Sequence, residues 1–368
     1  MGTFLEQLAR PEGLPGRDWY HPLSGWLLAE IMSLDAAASG ILRHATSASP
    51  AWRNAVATAL ALGIRERRCE DFLLLANGCI EDRDPVAQVS EALVSLRPSR
   101  ILEAALGEVP PSLMGTLTKI GGTPLNTPAG YVRLIELLRS DAPDARARRK
   151  VLEQLNERLD DELLQTVSII DPAALSPSAV LAIRTASEAH KVNARLAVIR
   201  EICSTATDDA LRQSIENARH LRPGLWIRSW LGRADRLPPL GIPLDDDPSV
   251  RRIVPATAAK TGERWRNCLA GHVNAMISGA AAYFEIDDLN VLVVLTRVDA
   301  GWLLTGIHAR ANLPVHRGVP ERVKARLSAR GVICLLPAGP PAELQALAGA
   351  FFTVDDLDFE FEGMNVGG

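Results

Sequence analysis

Hydrophobic residues recur at helical spacing through most of the first 233 positions. Intervals of three and four separate the apolar residues within Trp26–Met32, Val56–Ile64, Tyr131–Leu138 and Val151–Leu159. Such spacing places apolar side chains on one face of an α-helix. Because no fixed period with matching residues repeats along this region, the pattern predicts an irregular α-helical array over residues 1–233 rather than a solenoid.

Helix starts are marked by a small polar residue followed by proline. A side-chain oxygen can accept a hydrogen bond from the first turn, and proline is well suited to the first helical position. Four such pairs predict helix starts: Ser49–Pro50, Asp84–Pro85, Thr127–Pro128 and Ser176–Pro177. Basic residues at 146–150 lead into Leu152, Leu155 and Leu159, and residues 142–164 are predicted to form one amphipathic helix with a basic start.

The pattern changes after residue 233. Leu237–Pro243 contains three prolines and is predicted to be non-helical, because proline lacks an amide donor and restricts the residue before it. Asp245–Asp247 then precedes Pro248, which is typical of a solvated turn, since adjacent carboxylates rarely converge on one metal ion. Residues 234–256 are therefore predicted to be a Pro-rich linker.

Residues 257–368 predict a small α+β domain. A helix is expected over Thr261–Gly279, an apolar strand over Asn290–Val298, a turn at Asp299–Gly301 and a return strand over Trp302–His308. The elements expected after this hairpin are a helix at Pro320–Arg330, a strand at Val332–Leu336, a helix at Pro340–Ala350 and an acidic-faced strand at Val354–Glu362. The predicted fold class is a mostly α N-terminal array followed by a small α+β domain with an antiparallel sheet.

Composition narrows the class of protein. The chain has 368 residues, 47% of them hydrophobic and 23% charged, and a net charge of −4, which excludes a uniformly basic nucleic-acid coat. Its five cysteines are odd in number and form no Cys-x-x-Cys pair, which argues against a disulfide framework and a structural zinc site. Without a secretory signal or an 18-residue apolar run, a cytoplasmic protein with no membrane contact is expected.

One cluster has the residue types of nucleophilic catalysis. On the predicted helix, spacings of three and four place Trp265, Cys268, Leu269, His272 and Met276 on one face. An imidazole beside a thiol can take its proton and so generate the nucleophilic thiolate. The sequence therefore nominates Cys268 and His272 as catalytic residues.

A second imidazole belongs to the same hypothesis. His308 is in phase with Trp302 and Leu304 on the return strand, and it would face the helix if that helix packs on the sheet. The alternative is a buried structural cysteine with a hydrogen-bonded histidine, because free cysteine is among the most buried residue types. A metal site formed by Cys268, His272 and His308 lacks a fourth ligand, so neither a metal nor a cofactor is expected.

Charge is segregated in the C-terminal part. Between Arg297 and Arg330 there are seven basic residues against Asp299 and Glu321, whereas residues 343–368 hold six acidic residues and no basic ones. A basic strip beside a hairpin can hold phosphates, and the residues nominated for nucleic-acid binding are Arg297, Arg310, Arg317, Arg322, Lys324 and Arg326. The acidic residues at 343–368 could pair with this basic strip or shield it from nucleic acid. The alternative to phosphate binding is that the basic residues form a salt-bridged or solvated surface.

Several of these segments resemble a known family. The segments are Leu237-Pro238-Pro239, Ile253-Val254-Pro255, Gly262 to Leu269 with its Asn267-Cys268-Leu269 step, Ile277-Ser278-Gly279, Tyr283-Phe284 and Trp302 to Asn312. Together they are similar to the core of PcfJ-like proteins over about residues 237–330. In this family an aromatic residue commonly occupies the position that aligns with His272. The family also tends to have a Gln or Glu followed by a Gly before the asparagine that aligns with Asn312. The resemblance implies a link to mobile elements such as conjugative plasmids, and it implies no particular reaction or cofactor.

Three hypotheses follow. The first is a non-catalytic interaction protein of mobile-element or phage-defence biology that binds DNA, RNA or a nucleoprotein, with the helical array docking a protein partner. The second is a cysteine-dependent hydrolase or transferase that uses Cys268 with His272 or His308. The third is a structural scaffold subunit of a larger complex.

Overall fold

The fold is that of a computed structural model that describes residues 23–66, 68–78, 80–217, 222–244 and 247–335. Within these residues the chain forms seventeen α-helices and one four-stranded antiparallel sheet near the C-terminal end. The predicted fold class, a helical array followed by a small α+β domain, is therefore confirmed. The helix expected at Pro340–Ala350 and the strand expected at Val354–Glu362 lie outside the described residues.

Fourteen of the described helices precede the sheet. They are α1 (Gly25–Ala37), α2 (Ile41–Ser47), α3 (Pro50–Ala61), α4 (Cys69–Asn77), α5 (Pro85–Ser95), α6 (Pro98–Leu106), α7 (Leu113–Ile120), α8 (Pro128–Arg139), α9 (Ala145–Gln154), α10 (Asp161–Ile169), α11 (Pro177–Ile183), α12 (Ala186–Ile202), α13 (Asp208–Glu216) and α14 (Pro223–Leu231). None of the described helices is long and apolar enough to cross a membrane.

The sheet and its helices follow. In chain order they are β1 (Val250–Ile253), α15 (Pro255–Trp265), α16 (Val273–Ser278), β2 (Ala281–Ile286), β3 (Val291–Val298), β4 (Gly301–His308) and α17 (Val319–Ser328). Short 3₁₀ turns occupy Leu269–His272, Asp287–Leu289 and Arg310–Asn312. The helix predicted at Pro320–Arg330 thus occurs within two residues of its expected bounds.

The chain divides into two compact units. The N-terminal unit runs to Asn193 and also includes Leu211–Pro223, and the C-terminal unit comprises Ala194–Ala210 and the chain from Gly224 onward. The C-terminal unit contains the whole sheet and every residue that the sequence nominates for a site.

The four predicted helix starts are confirmed by their capping bonds. In each case the polar side chain accepts a backbone N–H from the first turn, and proline occupies the start of the helix. The donors are Trp52 to Ser49, Val86 to Asp84, Gly130 to Thr127 and Ala179 to Ser176. A cap of this kind typically contributes about 1 kcal/mol.

The single helix predicted over residues 142–164 is wrong. Helix α9 ends at Gln154, and α10 begins only at Asp161, where the Asp160 carboxylate caps the new helix by accepting from the Leu163 amide. Leu159, between them, is buried although it lies outside a helix, and its amide donates to Lys119 O. The apolar spacing continues across the break because leucines of both helices and of the link are buried, namely Leu152, Leu155, Leu159 and Leu163.

The sheet has helices on both of its faces. Its strands run in the order β1-β2-β3-β4, each antiparallel to its neighbour. Phe284, Val293 and Trp302 on one face belong to a buried cluster with Val323 and Leu327 of α17. On the other face Tyr283 and Leu292 belong to a cluster with buried residues of α15, the 3₁₀ turn and α16, namely Trp265, Leu269 and Met276.

Strand β1 corrects the predicted linker. Leu237–Pro243 is non-helical as expected, but Val250–Ile253, which the sequence placed in the linker, pairs with β2 from Val250↔Ile286 to Ile253↔Tyr283. Four residues bounded by Pro248 and Pro255 carry too short a pattern to be recognised as a strand.

A β-bulge in β4 alters the predicted direction of His308. Leu295 pairs with Leu304 and Val294 with Gly306, so Thr305 has no partner of its own. Such an extra residue reverses the face that later side chains occupy. Trp302 therefore lies on the α17 face, whereas His308, paired with Leu292, lies on the α15 face. The expectation that His308 is in phase with Trp302 and Leu304 is wrong, yet the bulge still directs it to the side where α15 packs.

The segment after α17 forms less structure than the predicted strand Val332–Leu336. Its described part makes a single parallel bridge, Leu303↔Ile333, with hydrogen bonds from the Ile333 amide to Trp302 O and from the Leu304 amide to Ile333 O. This bridge extends the sheet beyond β4 by one residue pair.

Candidate active site

The segment that carries Cys268 is a helix interrupted by a turn, so the continuous helix predicted over Thr261–Gly279 is wrong. Helix α15 ends at Trp265, and Arg266 adopts the left-handed conformation with φ of 54°. The Asn267 amide donates to Gly262 O, and Asn267 Oδ1 accepts from the Leu269 amide. These local bonds compete with helical ones, which is why asparagine favours such turns. Residues 266–268 are called the thiol turn below.

Gly262 allows the thiol turn to fold back on α15. A Cβ atom at this position would lie 3.2 Å from Asn267 O and 3.4 Å from the Cβ of Leu269. The bare backbone of Gly262 therefore permits the close approach of residues 267–269.

The turn separates side chains that a continuous helix would have kept on one face. Trp265, Leu269 and Met276 are buried in the core, whereas Cys268 and His272 are exposed. Cys268 Sγ and His272 Nε2 are 3.5 Å apart, within hydrogen-bonding distance for sulfur. The pair predicted from the sequence is thus formed, but at the surface, and the alternative of a buried structural cysteine is contradicted.

The ring of Tyr283 in β2 packs against the His272 imidazole. The two ring centroids are 5.6 Å apart and the rings are tilted by 31°. Burial, together with the nearby Cys268 thiol, raises the pKa of Tyr283 to about 12, so its hydroxyl remains protonated at neutral pH. In the sequence Tyr283 stands out only as part of the Tyr283-Phe284 segment of the family resemblance, whereas the packing of the strand shows its contact with His272.

An open cleft of about 610 Å³ lies beside the thiol. Its lining residues are Ala259, Gly262, Glu263, Arg266, Asn267, Cys268, Ala270 and Asn312. Asn312 comes from the segment after β4, where Ala311 and Asn312 both adopt positive φ angles, of 58° and 57°. Left-handed backbone at non-glycine residues is strained and concentrates at functional sites. Together with Arg266, three such residues lie at or next to this cleft.

Beneath the end of α15 lies a buried carboxylate that the sequence pattern does not mark as a site residue. Glu285 of β2 has a side chain only 2% exposed, and it accepts hydrogen bonds from Arg251, Arg264 and the Trp265 indole. Arg251 and Arg264 remain half exposed, so their guanidiniums cover the carboxylate from the solvent side. These four residues are called the Glu285 clamp below.

The charge of Glu285 is maintained by its donors. Burial alone would raise the pKa of this carboxyl, but the hydrogen bonds from Trp265, Arg251 and Arg264 outweigh burial, and the net shift is downward. Glu285 is therefore ionised at neutral pH. The sequence signal for Glu285 is weak: it is an acidic residue between the apolar residues Phe284 and Ile286. The structure shows that both faces of this strand are covered.

His308 is not part of the thiol pair. Its ring folds back over Gly306, where a Cβ atom would lie 2.5 Å from His308 Nε2. Gly306 pairs with Val294, which pairs with Tyr283, so His308 lies two strand spacings from the tyrosine, or about 10 Å across the sheet. Burial lowers the pKa of His308, which favours a neutral imidazole. Of the three predicted catalytic residues, the structure joins Cys268 and His272.

The basic residues nominated for nucleic-acid binding differ in their partners and in their exposure. Arg326 forms an ion pair with Asp288 and bonds Ser249, and the Arg297 guanidinium lies 5.3 Å from the ring centroid of Trp302. Lys324 is partly buried, whereas three of the nominated residues have exposed side chains: Arg310, Arg317 and Arg322. Among the nominated residues, the exposed positive charge therefore lies on the segment that follows β4 and on the start of α17.

The acidic run before Pro248 contributes a structural ion pair. Asp247 accepts from Ser249 and from Arg330, and the Ser249 bonds hold the pKa of Asp247 below its usual value. Within the described residues no cluster of three or more His, Cys, Asp or Glu side chains is arranged to hold a metal ion.

Comparison of the chain with protein-family models, curated proteins and solved structures gave no match.

Proposed function

We propose that Cys268 and His272 are the nucleophile and the general base of a cysteine-dependent hydrolase or transferase. The observation that carries this proposal is the 3.5 Å contact between Sγ and Nε2 at the edge of an open cleft. A thiol and an imidazole within hydrogen-bonding reach, with the imidazole held by a third group, is the arrangement that activates cysteine nucleophiles. Here the third group is the ring of Tyr283.

The proposed reaction begins with transfer of the Cys268 proton to His272. The thiolate attacks a carbonyl carbon of the substrate, and the imidazolium returns the proton to the departing alcohol, amine or thiol. The product is a thioester on Cys268. His272 then takes a proton from water in a hydrolase, or from a second nucleophile in a transferase, and the activated nucleophile attacks the thioester. The acyl group leaves bonded to that nucleophile, the C–S bond breaks, and the proton returns to Cys268.

The cleft favours a substrate group that belongs to a larger molecule. Sites for small molecules usually bury most of the ligand, whereas this cleft is open and Cys268 is exposed. The side chains of Asn267 and Asn312 line it and carry amide donors that suit a carbonyl oxygen.

The test is the alkylation rate of Cys268 by iodoacetamide, read at that residue by peptide mass spectrometry. At pH 7 we expect Cys268 to react at least about tenfold faster than free glutathione, because an ordinary thiol titrates near pH 8.5. His272→Gln should remove most of this advantage. Cys268→Ala confirms the assignment of the labelled peptide, and a Cys268 that reacts like glutathione with or without His272 would contradict the proposal.

A second candidate function is association with nucleic acid or nucleoprotein. The specific observation is that Arg310 and Arg317 are exposed on the segment that carries Asn312 into the cleft. The resemblance to PcfJ-like proteins points in the same direction, toward mobile-element or phage-defence biology, with the helical array as the docking surface for a protein partner. In this function the chain needs no catalysis, and it could act as a scaffold subunit.

Reversing Arg310 and Arg317 to glutamate is expected to weaken binding of single-stranded DNA or RNA and to flatten its salt dependence. Each phosphate contact that is lost lowers the slope of log affinity against log salt by about 0.7. The measurement is fluorescence anisotropy of a labelled oligonucleotide across a salt series. Arg146→Glu with Lys150→Glu makes the same charge change on exposed residues of α9 and is the matched control. Equal losses in both double variants, or no binding by the parent, would exclude this surface.

A further inference from the structure

Two residues of β2 contact the proposed base and the helix that leads into the proposed nucleophile. Tyr283 and Glu285 are two positions apart on one strand, so their side chains leave the same face of the sheet. Tyr283 contacts the ring of His272. Glu285 accepts from the indole of Trp265, the last residue of α15 before the thiol turn.

The path from Glu285 to the thiol is short. Three residues of chain lead from Trp265 to Cys268, and they contain the left-handed Arg266 and the Asn267 that is bonded back to Gly262. A turn held by its own hydrogen bonds moves as one piece with the end of its helix. A displacement of Trp265 is therefore passed on to Cys268, whereas His272 stays with its own support on Tyr283.

We propose that Glu285 is a positioning residue for the Cys268–His272 pair, because its buried carboxylate sets where α15 ends and the thiol turn begins. This inference rests on the proposed function of the pair. Glu285 touches neither the thiol nor the imidazole. Its role is to keep Sγ within reach of Nε2, a contact that a shift of about 1 Å would break.

Two arginines of the Glu285 clamp offer matched substitutions. Comparing them separates an effect on the position of Cys268 from an effect on the stability of the protein. Arg264 lies on α15, the helix that leads into the thiol turn, whereas Arg251 lies on β1. Both guanidiniums bond Glu285, and their side chains are 55% and 53% exposed. Replacing either with methionine removes one ion-pair partner of Glu285 at a similar exposure. Of the two arginines, however, only Arg264 belongs to α15, where it binds the carboxylate beside the Trp265 indole.

The experiment compares the wild type with Glu285→Gln, Arg264→Met and Arg251→Met. The readout is the alkylation rate of Cys268 by iodoacetamide from about pH 5 to about pH 9, which spans the titration of histidine and cysteine. His272, Tyr283 and the charged cleft residues Glu263 and Arg266 are unchanged in these three variants, and His272→Gln is measured with them as the reference for a lost base. The thermal midpoint of each protein is recorded alongside to report on stability.

We expect Glu285→Gln to shift the pH–rate profile toward that of His272→Gln, with at least about a threefold lower rate at pH 7, the equivalent of half a pH unit. A glutamine has one carboxamide oxygen in place of the two carboxylate oxygens that hold the three donors, and it carries no charge, so the bonds from Trp265 and Arg264 become weaker. Arg264→Met should shift the profile in the same direction, and Arg251→Met should keep the wild-type profile although its thermal midpoint falls.

Two outcomes overturn the inference. Wild-type profiles in both Glu285→Gln and Arg264→Met would show that the clamp is structural only. Equal shifts in Arg264→Met and Arg251→Met would show that the effect does not pass through α15, and this comparison decides the matter even if Glu285→Gln fails to fold. A different result would contradict the proposed function: a pH–rate profile of Cys268 alkylation that is the same in His272→Gln as in the wild type.

Discussion

Replacing Glu285 with alanine is expected to destabilise the C-terminal unit by about 3 kcal/mol at pH 7. Loss of one partner from a buried ion pair typically costs about 3–5 kcal/mol. The low end applies because Arg251 and Arg264 are half exposed and can return to water, whereas the buried Trp265 indole loses its acceptor. The measurement is denaturant unfolding of the wild type and the variant.

The control for this substitution is the next acidic residue in the chain. Asp287 is 59% exposed and lies 3.6 Å from the same Arg251 guanidinium. Exposed ion pairs contribute about 1 kcal/mol at most, so Asp287→Ala should change stability by far less than Glu285→Ala. Similar losses in the two variants would contradict the special role of burial.

The same substitution has a predictable pH dependence. The net effect of burial and hydrogen bonding lowers the pKa of Glu285 below its ordinary value of 4.5. Stability contributed by a group whose folded-state pKa is depressed is complete above the unfolded value and is lost as pH falls through the folded value. The difference between the wild type and Glu285→Ala should therefore be constant at neutral pH and shrink below about pH 4.5. A difference that grows on acidification would contradict this sign.

Replacing Asn54 with alanine is expected to destabilise the N-terminal unit by about 3 kcal/mol. Asn54 is 1% exposed; its amide nitrogen donates to Leu117 O and Gly121 O, and its Oδ1 accepts from the Tyr131 hydroxyl. Each buried polar group left without a partner costs about 1–3 kcal/mol. Unfolding can be followed by tryptophan fluorescence, because the Trp26 ring packs edge-on against Tyr131 at 6.0 Å.

Tyr131→Phe is the matched variant for Asn54. It removes only the hydroxyl, which donates to Asn54 and accepts from the Leu125 amide. We expect a smaller loss, of about 1–2 kcal/mol, and a double variant whose loss is less than the sum of the two single losses, since the residues share one bond. Additive losses would show that the hydrogen bond between Asn54 and Tyr131 contributes little.

Local chemistry explains which parts of the fold could be predicted. Helices such as α3 and α8 are marked by a capping side chain, a proline and apolar spacing within about a dozen residues, so their starts are legible in sequence. The β3–β4 hairpin is marked by a long apolar run and a glycine at its turn. Strand β1 has four residues, and its pairing with β2 depends on residues 30 to 36 positions away in the chain.

The candidate site was predictable only as a pair of residue types. Cysteine and histidine four positions apart were chosen on the assumption of a continuous helix, and they do meet, but through the turn formed by Arg266 and Asn267. Had the helix continued, Cys268 would have shared a buried face with Trp265 and Leu269. Its exposure, and with it the proposed chemistry, depends on that interruption.

The amino-acid sequence by itself determined the helical N-terminal part, the small α+β domain at the other end and the proximity of Cys268 to His272, because each follows from side chains close together in the chain. Only the tertiary structure decided that Cys268 lies at a cleft that Asn312 also lines, and that the bulge at Thr305 turns His308 to the α15 face. It also decided that Tyr283 contacts His272 and that Glu285 binds the end of α15. These arrangements depend on strand register and on the packing of α15 against the sheet, and both are set by contacts between distant segments.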